Sequence, residues 1–229
     1  MSIKPIYDIT SFTTLDYPNL LAAIFWFQKC NMRCQYCYNP QIVFGEGKLS
    51  EEDAFAFLQK RKGLLDGVVF SGGEATLYNG LFDFAKKIKD MGFLIKLDTN
   101  GLLPNVIMGL VEQNLVDYIS LDFKAMFDKF KSITQNNHFD LFENTLNYLI
   151  QMKIPFEIRT TIHVDMLNEK DVIKMIDYLW EKGYHKPYYL QNFLETDQNI
   201  GNIKAPTRLF DRNLLPQNGN IIWRNESAS

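Results

Sequence analysis

Short apolar runs alternate along the chain with stretches of helical periodicity, beginning at Leu21. Strands are predicted at Leu21–Phe27, Gly67–Ser71, Phe93–Asp98, Tyr118–Phe123, Phe156–His163 and Pro187–Asn192, each short, apolar and rich in Ile, Val, Phe or Tyr. Helical patterns fill the gaps. Ser50 followed by Glu51, Glu52 and Asp53 reads as an N-cap with an acidic first turn, opening a helix to about Lys62. Leu81, Phe84, Ala85 and Ile88 recur at helical spacing, and Gly92 is placed to end that helix. Pro104 starts a further helix to about Asn114. Phe142, Thr145, Leu146 and Leu149, then Val172, Ile176 and Leu179, mark two more.

Repeated strand–helix units define an α/β fold around a parallel sheet. Six units are too few for a complete eight-stranded barrel. The expectation is therefore a partial TIM-like (β/α)6 half-open barrel, with a lateral cleft for a large partner and function at the C-terminal ends of the strands. After Glu195 the character changes to many Asn with Gly201, Pro206, Pro216 and Gly219, and only Ile221–Trp223 is strand-like. Residues 1–194 read as the barrel domain and residues 195–229 as an extended tail packing on it.

Composition narrows the function classes. The chain has 229 residues, 46% of them hydrophobic, and 24 Lys+Arg against 27 Asp+Glu for a net charge of -3. That length buries a sizeable core in one domain or at most two. The even charge balance excludes a phosphate-tracking role, so no nucleic-acid partner is expected. The longest apolar run, around Leu20–Phe27, is far short of the roughly 18–20 residues a membrane span needs. Met1–Thr10, with Lys4, Pro5 and Asp8, carries no secretory pattern, so the expectation is a cytoplasmic protein without a membrane partner.

The three cysteines of the chain, Cys30, Cys34 and Cys37, fall within eight residues directly after the first predicted strand. An odd count without an export signal argues against disulfides and for metal or redox chemistry. A structural zinc site is normally closed by four ligands, and His138, His163 and His185 lie far away with no ligand spacing to the cysteines. A zinc knuckle would have to borrow one of them. Thiolates also suit iron–sulfur clusters, and a four-iron cubane held by three cysteines leaves one iron open to a substrate or cofactor.

Cys30-Asn-Met-Arg-Cys34-Gln-Tyr-Cys37, with an aromatic before the last cysteine, resembles the radical S-adenosylmethionine (SAM) superfamily. The resemblance implies that Cys30, Cys34 and Cys37 hold a 4Fe-4S cluster whose open iron is chelated by SAM. An electron from the cluster would then cleave the sulfonium and release a 5′-deoxyadenosyl radical. Ser71-Gly72-Gly73-Glu74 looks like the family's Gly-Gly-Glu element, whose backbone meets the SAM amino group. Leu97-Asp98-Thr99-Asn100-Gly101 and Leu121-Asp122-Phe123-Lys124 resemble the enzymes that activate glycyl-radical enzymes, including pyruvate formate-lyase activating enzymes. By that resemblance Asp98, Thr99 and Asp122 lie beside SAM and can hold a monovalent cation, and Lys124 reaches the SAM carboxylate. Hard carboxylate oxygens and a neutralising ammonium suit those roles. The bland reading makes Asp98 a loop cap and Lys124 a solvated charge.

Leu15-Asp16-Tyr17-Pro18, together with Cys37-Tyr38-Asn39-Pro40, looks most like the activating proteins of anaerobic ribonucleoside-triphosphate reductase. The resemblance spans roughly Ile9 to Gln191. The family often has Gly where Asn19 and Lys29 stand, His at Tyr38 and Pro at Ala75. A glycyl-radical enzyme as partner, and reduced flavodoxin or ferredoxin as electron donor, are implied. Weaker candidates accompany these. Tyr36 would lie near the SAM adenine, with core packing as its rival. Arg159 faces the barrel interior and needs a carboxylate, either as an ion pair or as a SAM contact. Gln191 could touch the ribose or adenine on position alone. His163 is set aside, because radical hydrogen abstraction needs no general base. Other function classes are a radical SAM enzyme acting on a small molecule, such as a deazaguanine precursor, and a zinc-binding interaction module.

Overall fold

The computed structural model describes residues 3–216 and 220–225. Parts of the 195–229 tail, residues 217–219 with Gly219 and residues 226–229, lie outside the described residues, as do Met1 and Ser2. Among the described residues there are eight strands: β1 (Ile6–Thr13), β2 (Ala22–Phe27), β3 (Gly67–Gly72), β4 (Leu94–Thr99), β5 (Tyr118–Asp122), β6 (Phe156–Ile162), β7 (Tyr188–Asn192) and β8 (Ile221–Arg224). Sheet order follows chain order from β1 to β8. The helices are α1 (Pro40–Phe44), α2 (Glu51–Gln59), α3 (Leu81–Asp90), α4 (Pro104–Glu112), α5 (Phe127–Thr134), α6 (Phe139–Gln151) and α7 (Glu169–Glu181).

All six strands expected from sequence form, each within a residue or so of the expected bounds. Ser50 and Asp53 make a reciprocal capping box at α2, and Asn168 and Asp171 make another at α7. The strand-like segment Ile221–Trp223 forms β8, whereas β1, α1 and α5 have no counterpart among the elements expected from sequence.

The chain divides into two compact units. The first comprises residues 1–31, 39–99 and 103–120. In it β1 pairs antiparallel to β2, while β2, β3 and β4 run parallel, with Ile24 opposite Val69 and Val69 opposite Lys96. One face of these strands buries Ala22, Ile24 and Val69 with Tyr17, and Trp26 and Tyr118 pack against them. The other side is an aromatic core in which Phe25, Phe70 and Phe84 stack, with Phe27 edge-on to Phe70 and Phe84.

The second unit comprises residues 32–38, 100–102 and 121–229. Strands β6, β7 and β8 run parallel. Phe123, Phe139, Phe142 and Tyr178 form its aromatic core. The tail segment Ile221–Arg224 joins the sheet as β8, and Arg224 clamps the buried Glu157 carboxylate through two hydrogen bonds of 2.9 and 2.8 Å.

Asn19 and Lys29, where the family often carries Gly, both adopt left-handed backbone conformations, φ 62° and 65°. That conformation costs an L-residue about 1–2 kcal/mol, less for Asn, and glycine gives back about 0.5–1 kcal/mol in unfolded-chain entropy. Lys29→Gly is therefore expected to stabilise the protein by about 0.5–1 kcal/mol and Asn19→Gly to leave it unchanged. Urea unfolding of both variants checks this, and a destabilised Lys29→Gly protein would sink the strain account.

Candidate functional site

In the first unit the site residues gather at the ends of β3 and β4. Gly72 has φ 110°, and a Cβ there would come within 2.5 Å of the Phe27 backbone. At Gly73 it would meet the Lys29 carbonyl oxygen at 1.8 Å. These glycines exist because the chain entering the cysteine loop lies against them. Gly73 N–H donates to Phe27 O and Glu74 N–H to Lys29 O, both at 2.8 Å. Two peptide N–H groups of the Gly-Gly-Glu element thus anchor the segment leading to Cys30.

The Glu74 carboxylate is buried and accepts from Thr76 Oγ1 at 2.6 Å and from Thr99 Oγ1 at 2.8 Å. Asp98 accepts from Ser71 Oγ at 3.0 Å and from Lys96 Nζ at 2.5 Å. Sequence reasoning missed Lys96. Its signal was a charge inside an apolar strand, two residues before Asp98 and on the same face.

In the second unit the cysteine loop is held along its length. Arg33 N–H and Gln35 N–H donate to Thr134 O and Ile133 O, at 2.8 and 3.0 Å. These are C-terminal carbonyls of α5, which lack helical partners of their own. From the tail, Ile200 N–H donates to Cys37 O at 2.9 Å and Gly201 N–H to Gln35 O at 2.8 Å. Cys34 is buried, with burial pushing its thiol up to about 11, while Cys30 and Cys37 are half-buried, and none of the three is in a disulfide.

Asp122, at the end of β5, accepts from Arg159 Nε at 2.5 Å and from Lys124 Nζ at 3.1 Å. Arg159 therefore does find its carboxylate. Burial works to raise the Asp122 pKa, but the Arg159 and Lys124 charges overcome it and hold the group at about 2. Lys124 Nζ also lies 5.9 Å from the ring of Tyr36. The Tyr36 hydroxyl is buried and finds no hydrogen-bond partner. Asn100 is buried with its Oδ1 on Leu102 N–H at 3.0 Å, and Gln191 sits half-buried near the end of β7 opposite Thr161 and Arg224.

Acid stability follows from this electrostatics. Glu169 is held at about 2 by its paired hydrogen bonds from Arg208, both 2.6 Å, against the effect of burial. Asp122 and Glu169 have folded pKa values below their ordinary values of 3.8 and 4.5. Their stabilisation is therefore present above the ordinary values and is lost as pH falls towards about 2. The unfolding free energy read from urea titrations is expected to drop across that window, by up to about 1.4 kcal/mol per pH unit for each proton taken up, with the midpoint falling accordingly. Glu169→Gln should flatten the curve, and a wild-type midpoint that does not move there would refute the assignment.

The donor set fits an iron–sulfur cluster better than zinc. Three thiols share one clamped loop, and each histidine is engaged elsewhere. His163 Nε2 is hydrogen-bonded with Lys204 O at 2.8 Å, His185 stands edge-on to Trp180, and His138 is exposed beside Asp140. Among the described residues no three His, Cys, Asp or Glu side chains form a ready-made metal group. The site also fits SAM. Asp122, Lys124 and Arg159 together carry one positive charge, which suits a carboxylate, and the orphaned Tyr36 hydroxyl lacks only an acceptor.

A family model described as the radical SAM superfamily matches residues 24–179, and the chain belongs to that superfamily. The superfamily's cofactors are a 4Fe-4S cluster and SAM. A protein of Methanocaldococcus jannaschii named as a glycyl-radical enzyme activating enzyme is 31% identical over 174 residues, covering 73% of this chain and 72% of its own. The pyruvate formate-lyase-activating enzyme of Clostridium pasteurianum is 30% identical over 186 residues, covering 77% and 76%. Within the superfamily, then, this is a radical SAM activating enzyme of the group that serves glycyl-radical enzymes. Streptococcus suis SuiB bound to S-adenosylmethionine shares the fold at 15% identity, with a TM-score of 0.67 over 89% of this chain and 52% of that one. The expected α/β, partial TIM-like architecture is thereby borne out. No helix among the described residues is long and apolar enough to cross a membrane.

Proposed function

We propose that this chain generates the glycyl radical of an anaerobic ribonucleoside-triphosphate reductase. The observation that carries the reading is the clamped three-thiol loop with the Asp122–Lys124–Arg159 group in the same unit. When bound, the cluster and SAM supply the electron and the sulfonium from which the hydrogen-abstracting radical arises.

The chain's own residues bind and orient. Cys30, Cys34 and Cys37 are the cluster ligands. Lys124, braced by Asp122, neutralises the SAM carboxylate, and Arg159 braces Asp122 in turn. The Gly72-Gly73-Glu74 backbone serves the SAM amino group through its carbonyls, since two of its N–H groups are already bonded to the cysteine segment. The buried Glu74–Thr99 hydrogen bond holds β4's end in register with it. Tyr36 lies against the adenine, and Asn100 and Gln191 line the nucleoside. The resemblance also implies a monovalent cation near Asp98 and Asp122, although each carboxylate already carries a cationic side chain.

In this reading residues 1–194 are the catalytic domain and residues 195–229 its tail. The setting is cytoplasmic, with reduced flavodoxin or ferredoxin as donor and neither nucleic acid nor membrane as partner. The reductase is favoured by Leu15-Asp16-Tyr17-Pro18 and Cys37-Tyr38-Asn39-Pro40. Tyr17 of the first is a core residue packed against Tyr118, so Leu15 and Asp16, both exposed, are what that segment presents to a partner. The 30% identity to a pyruvate formate-lyase-activating enzyme favours formate lyase as the second reading.

The test is anaerobic. The reconstituted, reduced protein is mixed with SAM and each purified candidate partner, and the electron paramagnetic resonance spectrum is recorded. A glycyl doublet with the reductase is expected. A doublet with formate lyase alone selects the second reading. SAM cleavage with neither doublet points to a small-molecule substrate and overturns both.

A further inference from the structure

We propose that Lys96 takes the place of a solvent-borne monovalent cation at Asp98, so that SAM binding by this enzyme is independent of potassium and sodium. The inference rests on the reading of Asp98 as part of the SAM site. Lys96 lies in the middle of β4, opposite Val69 on the face that buries Ile24 and Val69, and only 1% of the residue is exposed. Its Nζ stands 2.5 Å from Asp98 Oδ1, and Ser71 Oγ holds the other carboxylate oxygen at 3.0 Å.

Stability does not account for a lysine buried on the face that also buries Ile24 and Val69. Replacing a buried ion pair by apolar residues of similar volume is often neutral or stabilising. What Lys96 does supply is a fixed positive charge at the C-terminal end of the strand. An ammonium group and a potassium ion carry the same charge at nearly the same radius. The side chain brings that charge without recruitment from solvent, and three N–H donors orient it. A second cation entering beside Nζ would meet a like charge at contact distance. The residues at Asp98 therefore do not fit a bound alkali ion. Lys96 is a positioning residue that acts through Asp98, fixing that carboxylate's charge and direction at the end of the strand.

Holoenzyme and Lys96→Met are compared in chloride salts of potassium, sodium and N-methyl-D-glucamine at equal ionic strength. The SAM dissociation constant is read by anaerobic calorimetry and the cluster by its paramagnetic resonance spectrum. Wild type is expected to bind SAM equally in all three salts, within about twofold. Lys96→Met is expected to bind at least about tenfold more weakly in N-methyl-D-glucamine and to recover most of the loss in potassium. Such rescue would not follow from a merely structural lysine. The wild-type comparison needs no variant and stands even if Lys96→Met fails to fold. A wild-type affinity that rises severalfold with potassium overturns the assignment and leaves the SAM reading intact. A Lys96→Met protein that binds SAM like wild type in N-methyl-D-glucamine overturns it as well. An intact cluster with no SAM binding in any salt overturns both.

Discussion

Cys34→Ala is expected to hold no 4Fe-4S cluster and to reduce SAM cleavage to background, while the polypeptide stays folded. With Cys34 replaced, only Cys30 and Cys37 remain as thiolate ligands in a loop whose other fastenings are backbone hydrogen bonds. Fold retention follows from the state of the thiol. Burial pushes Cys34 up to about 11, so without a cluster it is a neutral, small, apolar group. Removing one sulfur atom leaves a small cavity worth about 1 kcal/mol, or about 3 °C in thermal midpoint for a chain of this size. The measurement pairs iron content and 5′-deoxyadenosine yield with the thermal midpoint of the apo protein. A variant that keeps iron and cleaves SAM would remove Cys34 from the ligand set. A variant that loses iron only because it unfolds would leave the loop's role structural.

Asp122→Asn should cost about 3–5 kcal/mol and lower the thermal midpoint by about 10 °C, with SAM affinity falling in parallel. The wild-type carboxylate, one-fifth exposed, sits between the Lys124 and Arg159 side chains, themselves 17% and 16% exposed. The carboxamide keeps the shape and removes the charge, so two buried cations are left facing each other. Lys124, no longer braced, would then meet the SAM carboxylate less well. A double-mutant cycle with Arg159→Met separates the causes. If charge imbalance is the cause, the double variant recovers part of the loss and the two effects are strongly non-additive. A midpoint within about 2 °C of wild type for Asp122→Asn would show that the group is solvated and would take away its bracing role.

The strands whose ends carry site residues were legible because each is a short run of branched and aromatic residues closed by polar or glycine positions. Strand β1 was not. It is a partly exposed edge strand with Asp8, Thr10 and Ser11 interleaved, and it gains strand character only by pairing with β2. Helix α5 is eight residues long with no side-chain N-cap bond, too short and too weakly punctuated to stand out. Its C-terminal carbonyls nevertheless hold Arg33 and Gln35, so an element invisible to periodicity supports the cluster loop. Lys96 was read as part of an apolar strand because one charge hardly disturbs an apolar run. Gly72 and Gly73 were legible as glycines needed for a close approach, but what approaches them is the Phe27–Lys29 backbone of the chain itself.

By itself the sequence determined what depends on neighbours within about ten residues: strand and helix periods, the Ser50 cap, the thiol spacing and the short motifs at the strand ends. Those features follow from backbone geometry and local hydrogen bonding, which read the same in any context. The partners of the site residues were decided only by the tertiary structure. Gln35 N–H meets Ile133 O, Cys37 O meets Ile200 N–H, Asp122 meets Arg159 and Glu157 meets Arg224, pairs separated by about 40 to 160 residues. Each of these pairs satisfies a polar group that burial would otherwise leave stranded. Which group supplies the partner is settled by how the sheet and helices close over it, not by any local pattern.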